Sequence, residues 1–184
     1  AVLQECEAAW NRTFDGWTAG AECLLAEKIE CNPDGMINSM SIAGLQLNGP
    51  IPTSIATLTA LTYFDIAFNN FAGTVPSFIT RLSQLSHLSF TQTRISGPIP
   101  STIGALKKLE LLFISYTNIS GTIPSTISGL SSLTYFDCSN TRISGTIPST
   151  IGRLSNLQNL LVANTNLSGS LPASLGALPN LVQV

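Results

Sequence analysis

The chain has 184 residues, of which 8 are Lys or Arg and 10 are Asp or Glu, so at 10% it carries far less charge than the roughly one quarter of an average soluble domain. Pro, Gly, Ser or Thr interrupts every apolar run well short of the ~20 residues of a membrane-spanning helix, and 44% hydrophobic residues at a net charge of −2 argue against disorder. Ser and Thr together number 41 and supply the polarity, while the six bases spread over positions 36–184 form no phosphate-tracking patch, which argues against nucleic acid as a partner. Residues 1–35 form the first unit. They hold seven acids (Glu5, Glu7, Asp15, Glu22, Glu27, Glu30, Asp34) against Arg12 and Lys28, a net of −5, whereas the other 149 residues sum to +3. Three of the four cysteines (Cys6, Cys23, Cys31) lie in this acidic unit, which reads as a small stapled cap. His87, the single histidine, stands far away in sequence, so an ordinary zinc site lacks ligands and no metal or cofactor is expected. Sequons at Asn11, Asn118 and Asn166 agree with a secreted glycoprotein, and no signal-peptide pattern opens the chain, so a secreted protein would be seen here in mature form.

Residues 36–184 are governed by a period. Gly49-Pro50-Ile51-Pro52 returns as Gly73-Thr74-Val75-Pro76, Gly97-Pro98-Ile99-Pro100, Gly121-Thr122-Ile123-Pro124, Gly145-Thr146-Ile147-Pro148 and Gly169-Ser170-Leu171-Pro172, each 24 residues after the last. The apolar frame Leu133, Phe136, Cys138, Ile143, Ile147, Ile151 and Leu154 recurs in the same register. It predicts a short strand over 133–139, a turn, a second extended piece ending at the proline, and one helical turn. The fold expected is an α/β solenoid, a right-handed leucine-rich-repeat superhelix of six repeats and a partial seventh. Stacked rungs set equivalent residues about 4.8 Å apart, where like charges repel and hydroxyls do not. The column Leu45, Asn69, Thr93, Thr117, Thr141, Thr165 is read as inward groups that bond the turn backbone. Cys138 falls in an apolar column and is read as a buried free thiol.

Rungs such as Ser115-Tyr116-Thr117-Asn118-Ile119-Ser120-Gly121-Thr122-Ile123-Pro124 resemble those of plant-type leucine-rich-repeat proteins, above all the polygalacturonase-inhibiting proteins and the ectodomains of plant receptor kinases. Trp17, Cys23, Ile29 and Cys31, followed by the turn residues Asn32-Pro33-Asp34-Gly35, are similar to the N-terminal cap of those proteins. That cap usually has two adjacent cysteines, and Glu22 stands in one of those places. The resemblance favours a Cys23–Cys31 bridge, with Cys6–Cys31 and Cys6–Cys23 as alternatives. The inhibitors typically have about ten repeats and a cysteine-bearing C-terminal cap, whereas Leu178, Leu181 and Val184 end this sequence within a seventh strand. An open end exposes core and strand edge, which suggests a shortened chain, a lost partner, or a dimer through that end.

Outward columns on the strand face hold Ser86, His87 and Ser89, but no carboxylate is placed to orient the imidazole. Asp65 and Asp137 stand three rungs, about 14 Å, apart, farther than a glycosidase pair. No enzyme is expected. The aromatics and single charges Tyr63, Asp65, Phe68, His87, Glu110, Phe113, Tyr116, Tyr135 and Asp137, with Arg94 and Arg142 beyond, point to a concave recognition face for an extracellular protein, peptide or cell-wall ligand. The resemblance implies a secreted protein of the cell wall or apoplast, whose partner would be a pathogen's polygalacturonase. A second reading is ice binding. Ala72 and Thr74, Ser96 and Pro98, Ser120 and Thr122, Ser144 and Thr146, and Ser168 and Ser170 would form two columns of hydroxyls on the solenoid flank, similar to the arrays of β-solenoid antifreeze proteins.

Overall fold

The structure is a computed structural model that describes residues 2–10 and 28–184. Helix α1 (Val2–Trp10) comes first, and β1 (Ile29–Cys31) opens the next described stretch. Each rung then contributes a strand to one wall, a strand to a second wall, and a single 3-10 turn. The first wall is built from β2 (Ile37–Ser41), β4 (Tyr63–Asp65), β6 (His87–Ser89), β8 (Leu111–Phe113), β10 (Tyr135–Asp137) and β12 (Asn159–Leu161). The second wall is built from β3 (Asn48–Gly49), β5 (Asn70–Thr74), β7 (Arg94–Pro98), β9 (Asn118–Gly121), β11 (Arg142–Gly145) and β13 (Asn166–Leu167). The strand predicted over 133–139 is thus the three-residue β10, with inter-rung backbone bonds continuing past it from Cys138 to Leu161 and from Asn140 to Ala163.

Chain geometry sets these lengths. In successive rungs, Gly44, Phe68, Gln92, Tyr116, Asn140 and Asn164 all adopt positive φ, between 52° and 69°, three residues after the end of each first-wall strand. That left-handed residue turns the chain into the second wall. Proline then closes the second strand: Pro52, Pro76, Pro124, Pro148 and Pro172 each precede a 3-10 turn, where a fixed φ and a missing N–H cost nothing.

The two walls differ in register. In the first, parallel neighbours pair residues 24 apart: Tyr63 with His87, His87 with Leu111, Leu111 with Tyr135, and Tyr135 with Asn159. Strand β1 joins this sheet antiparallel to β2, placing Glu30 beside Ser39. In the second wall, Thr74 pairs with Ser96 and Ser96 with Asn118, an offset of 22 residues. The chain on that side runs obliquely to the stack.

A single apolar column fills the space between the walls, with Phe64, Phe71, Phe90 and Phe136 all essentially buried. Cys138 is buried and free as read from the sequence, and burial above all, with Asp137 adding to it, pushes its thiol up to about 12. Cys6 on α1 is also buried and free. Cys31 is disulfide-bonded; Cys23, its expected partner, lies outside the described residues, as does the sequon at Asn11.

Asn69 is the strongest polar tie in this core. Its amide donates to the carbonyls of Ile42 (2.8 Å), Ile66 (3.0 Å) and Ala67 (3.1 Å), and its Oδ1 accepts from Leu45 (3.0 Å) and Leu47 (2.9 Å). The threonines that replace it do less. Thr93, Thr117 and Thr141 each donate at 2.7 Å to a carbonyl three residues back, and each accepts a longer bond from the N–H two residues on. An amide therefore ties two rungs together, whereas a hydroxyl closes only its own turn.

Candidate functional site

Alternation along β4, β6, β8 and β10 buries Phe64, Leu88, Leu112 and Phe136 and turns Tyr63, His87, Leu111 and Tyr135 to the opposite face of the sheet. The next column outward holds Ser41, Asp65, Ser89, Phe113, Asp137 and Leu161 in register. Rings from four adjacent strands meet on this face. Tyr63 and His87 stack with centroids 4.1 Å apart and planes 13° from parallel. His87 meets Phe113 at 5.4 Å, and Phe113 meets Tyr135 at 5.1 Å. The result is an aromatic stripe that runs across the strands, about 14 Å from first strand to last at the spacing of a sheet.

Ser89, between Asp65 and Phe113 in the sheet register, lies at only 5% exposure. Ser86 donates its hydroxyl to the Thr62 carbonyl at 3.1 Å, as Thr62 does to Asn38 and Thr134 to Glu110. These hydroxyls serve the backbone of the neighbouring rung. The imidazole of His87 is held below its ordinary pKa of 6.5 by burial between two rings, and nearby Asp65 opposes the shift. Burial and the Asp65 carboxylate together raise the Tyr63 phenol.

Acidic groups frame the stripe. Asp65 and Asp137 each accept the N–H two residues on, from Ala67 and Ser139 at 2.9 Å, so one oxygen of each carboxylate fixes the turn at the strand end. Glu110 is exposed just before β8. Glu30 lies on the same sheet beside Ser39, which pairs in turn with Tyr63. Sequence reading had assigned Glu30 to the cap alone; the alternation of buried Ile29 with exposed Glu30 is the signal that marks it as part of the wall. Among the described residues, no Lys or Arg lies in the seven strands of this sheet.

Phe68 and Tyr116 stand at the outer edge of that face, apart from the stripe. Their positive-φ backbone, at 56° and 54°, carries them past the strand end to the outer edge, where they stand 60% and 57% exposed. With Gln92, Arg94, Asn69, Asn70 and Thr93 they line a separate open groove of about 640 Å³. Successive rungs alternate along this edge: Phe68 with Asn70, Gln92 with Arg94, Tyr116 with Asn118, Asn140 with Arg142. The two described sequons fall on the second wall, Asn118 half-buried in β9 and Asn166 exposed in β13.

The flank departs from expectation. Because of the 22-residue pairing, Thr74 faces Ser96 and Pro98 faces Ser120, so the two straight ranks of hydroxyls are replaced by a slanted one. Ser96, Ser144 and Ser168 donate to the carbonyls of Gly73, Gly121 and Gly145 and are spent on the backbone. The exposed Thr74, Thr122, Thr146 and Ser170 remain, while Ser120 is half-buried and Pro98 breaks the series. Glycine seats these threonines: a Cβ on Gly97 or Gly145 would stand 3.0 Å from the Cγ2 of Thr74 or Thr122, so each threonine methyl rests on the glycine of the next rung.

Residues 108–130, 132–154 and 156–178 match the Leucine Rich Repeat family. No curated protein matches the chain in sequence. Among solved structures, a TDR receptor is 36% identical over 74% of this chain, with a TM-score of 0.73, and the chain spans 24% of that receptor. A plant ice-binding protein is 25% identical over 96% of this chain and 59% of its own length, with a TM-score of 0.86. A chain of the BIR3–SERK2 complex from Arabidopsis thaliana is 27% identical, with 91% of this chain and 89% of that one covered at a TM-score of 0.76.

Proposed function

From the premise that the chain is a leucine-rich-repeat protein of the plant type, we propose that it is an extracellular recognition module that takes a protein or peptide ligand on its first-wall face. The observation that carries this reading is the unbroken ring contact Tyr63–His87–Phe113–Tyr135 across four neighbouring strands. Rigid aromatics beside isolated charges are what interface anchors are made of. The likeness to a chain of a two-protein complex supports the same reading. Beside the stripe, the Ser86 hydroxyl donates to the Thr62 carbonyl and Ser89 is buried. The finer form of the proposal is that the partner is a pathogen's polygalacturonase, blocked by occlusion in the cell wall or apoplast, with residues 1–35 acting as the disulfide cap of the solenoid. Capture from a secretome with wild type beside Phe113→Ala and Tyr135→Ala tests it. Each substitution should weaken binding by more than about 1 kcal/mol; a partner held equally well by both variants removes this face from the function.

A second reading rests on the flank. The free hydroxyls of Thr74, Thr122 and Thr146 form a sparse, uncharged column, and the likeness to a plant ice-binding protein extends over nearly the whole chain. Thermal hysteresis and ice recrystallisation measured at high protein concentration decide between the readings. Activity that Thr122→Lys abolishes supports ice binding, and absence of activity in wild type ends it.

A further inference from the structure

The charges of the solenoid portion are sorted by wall; in the N-terminal segment exposed Lys28, whose carbonyl accepts the Ser41 N–H, stands at the rim of the first-wall sheet just before β1. The solenoid portion contains three acids, Asp65, Glu110 and Asp137, and all three lie on or at the edge of the first-wall sheet, where β1 adds Glu30. Its six bases lie elsewhere: Arg81 and Arg153 end 3-10 turns, Lys107 and Lys108 occupy the turn before β8, and Arg94 and Arg142 open second-wall strands. A sheet with acids and aromatics and no bases among its strands is complementary to cationic side chains, which gain from the carboxylates and from the faces of the rings.

Geometry adds a spacing. Asp65 and Asp137 occupy one column on β4 and β10, three strand intervals apart, or about 14 Å at ~4.8 Å per interval. An extended peptide rises about 3.3 Å per residue, so its side chains at i and i+4 point the same way and stand roughly 13 Å apart. The side chain at i+2 then falls midway, over His87 and Phe113. Resting on the recognition reading above, we propose that the ligand is a basic segment laid across the strands, with Lys or Arg at i and i+4 on Asp65 and Asp137 and an apolar residue at i+2 on the aromatic stripe.

The substitutions that test this are clean. Asn can accept the Ala67 and Ser139 N–H bonds through its own Oδ1, so Asp65→Asn/Asp137→Asn removes charge and keeps the strand-end turns. The probes are three blocked peptides at low salt: GRSLSRG, its equally charged rearrangement GRRSLSG, and GESLSEG. GRSLSRG should bind several-fold more tightly than GRRSLSG, and GESLSEG should not bind. The Asp65→Asn/Asp137→Asn variant should weaken GRSLSRG about tenfold, Phe113→Ala roughly fivefold, and Asp34→Asn, an exposed acid off this sheet, should change nothing. Unchanged thermal melts confirm that the variants fold. Equal affinity for the two basic peptides, an equal loss in Asp34→Asn, or no binding of GRSLSRG overturns the proposal. A captured partner that is lost with Phe113→Ala yet indifferent to Asp65→Asn/Asp137→Asn also overturns it, while leaving the recognition reading intact.

Discussion

Asn69 and the threonines that follow it in the stack perform one task with different reach. Replacing Asn69 by Ala strips partners from buried backbone groups in two rungs, and replacing Thr117 by Ala strips them from one. A buried group left without a partner costs about 1–3 kcal/mol. Thr117→Ala should therefore destabilise by roughly that amount and Asn69→Ala by distinctly more, as read from urea unfolding midpoints. His87 supplies a prediction in pH. Its folded pKa lies below the ordinary 6.5, so folding disfavours the protonated ring, and its contribution is complete above 6.5 and lost as pH falls through the folded value. Wild-type stability should decline over that window and then level off in this term, and in His87→Gln the decline should be absent. Identical stability-against-pH curves for the two proteins would show that the ring is not desolvated as described.

At the scale of the element, the convex turns leave no space between rungs. A Cβ on Gly104 would stand 2.2 Å from the Thr126 carbonyl oxygen, and one on Gly129 would stand 2.4 Å from that of Gly104, whereas nothing lies within 4 Å of the equivalent position on Gly176. Gly104→Ala should cost about 1–3 kcal/mol through overpacking, and Gly176→Ala should be neutral or stabilise by up to about 1 kcal/mol through the unfolded chain. Parallel thermal melts compare them. These elements also show what a sequence reveals. The 24-residue interval of Gly-x-apolar-Pro was enough to place the strands, the inward Asn and Thr column and the buried thiol, because each follows from stacking equivalent residues. The same interval misplaced the flank, since pairing there runs at 22 residues, and a repeat length does not determine the slant of a strand. Ser89 was taken as outward on alternation alone. Its low exposure, beside Phe113 in the sheet register, is not something alternation determines.

Across the whole molecule, scarcity of charge gives the few charges a direction. The +3 of the solenoid portion conceals an acidic wall set against basic edges and turns, so a net value read from composition describes no face of the protein. Apart from α1 and the antiparallel β1, every strand on the first wall repeats its neighbour's register. Ligand contacts on that wall can therefore be counted by rung, and additivity between distant rungs is expected.

The outer edge sets a rule of its own. Its side chains repeat only every second rung, aromatic with amide and then amide with arginine, through Phe68, Arg94, Tyr116 and Arg142. A periodic chain lying along this edge that slips by one rung finds an amide where it had a ring and a cation where it had an amide. Slipping by two restores every contact but leaves the last rungs, where Asn164 and Asn166 end the alternation. Translation along the stack is thereby quantised: the edge distinguishes odd displacements from even ones, and its terminal rung distinguishes one even position from the next.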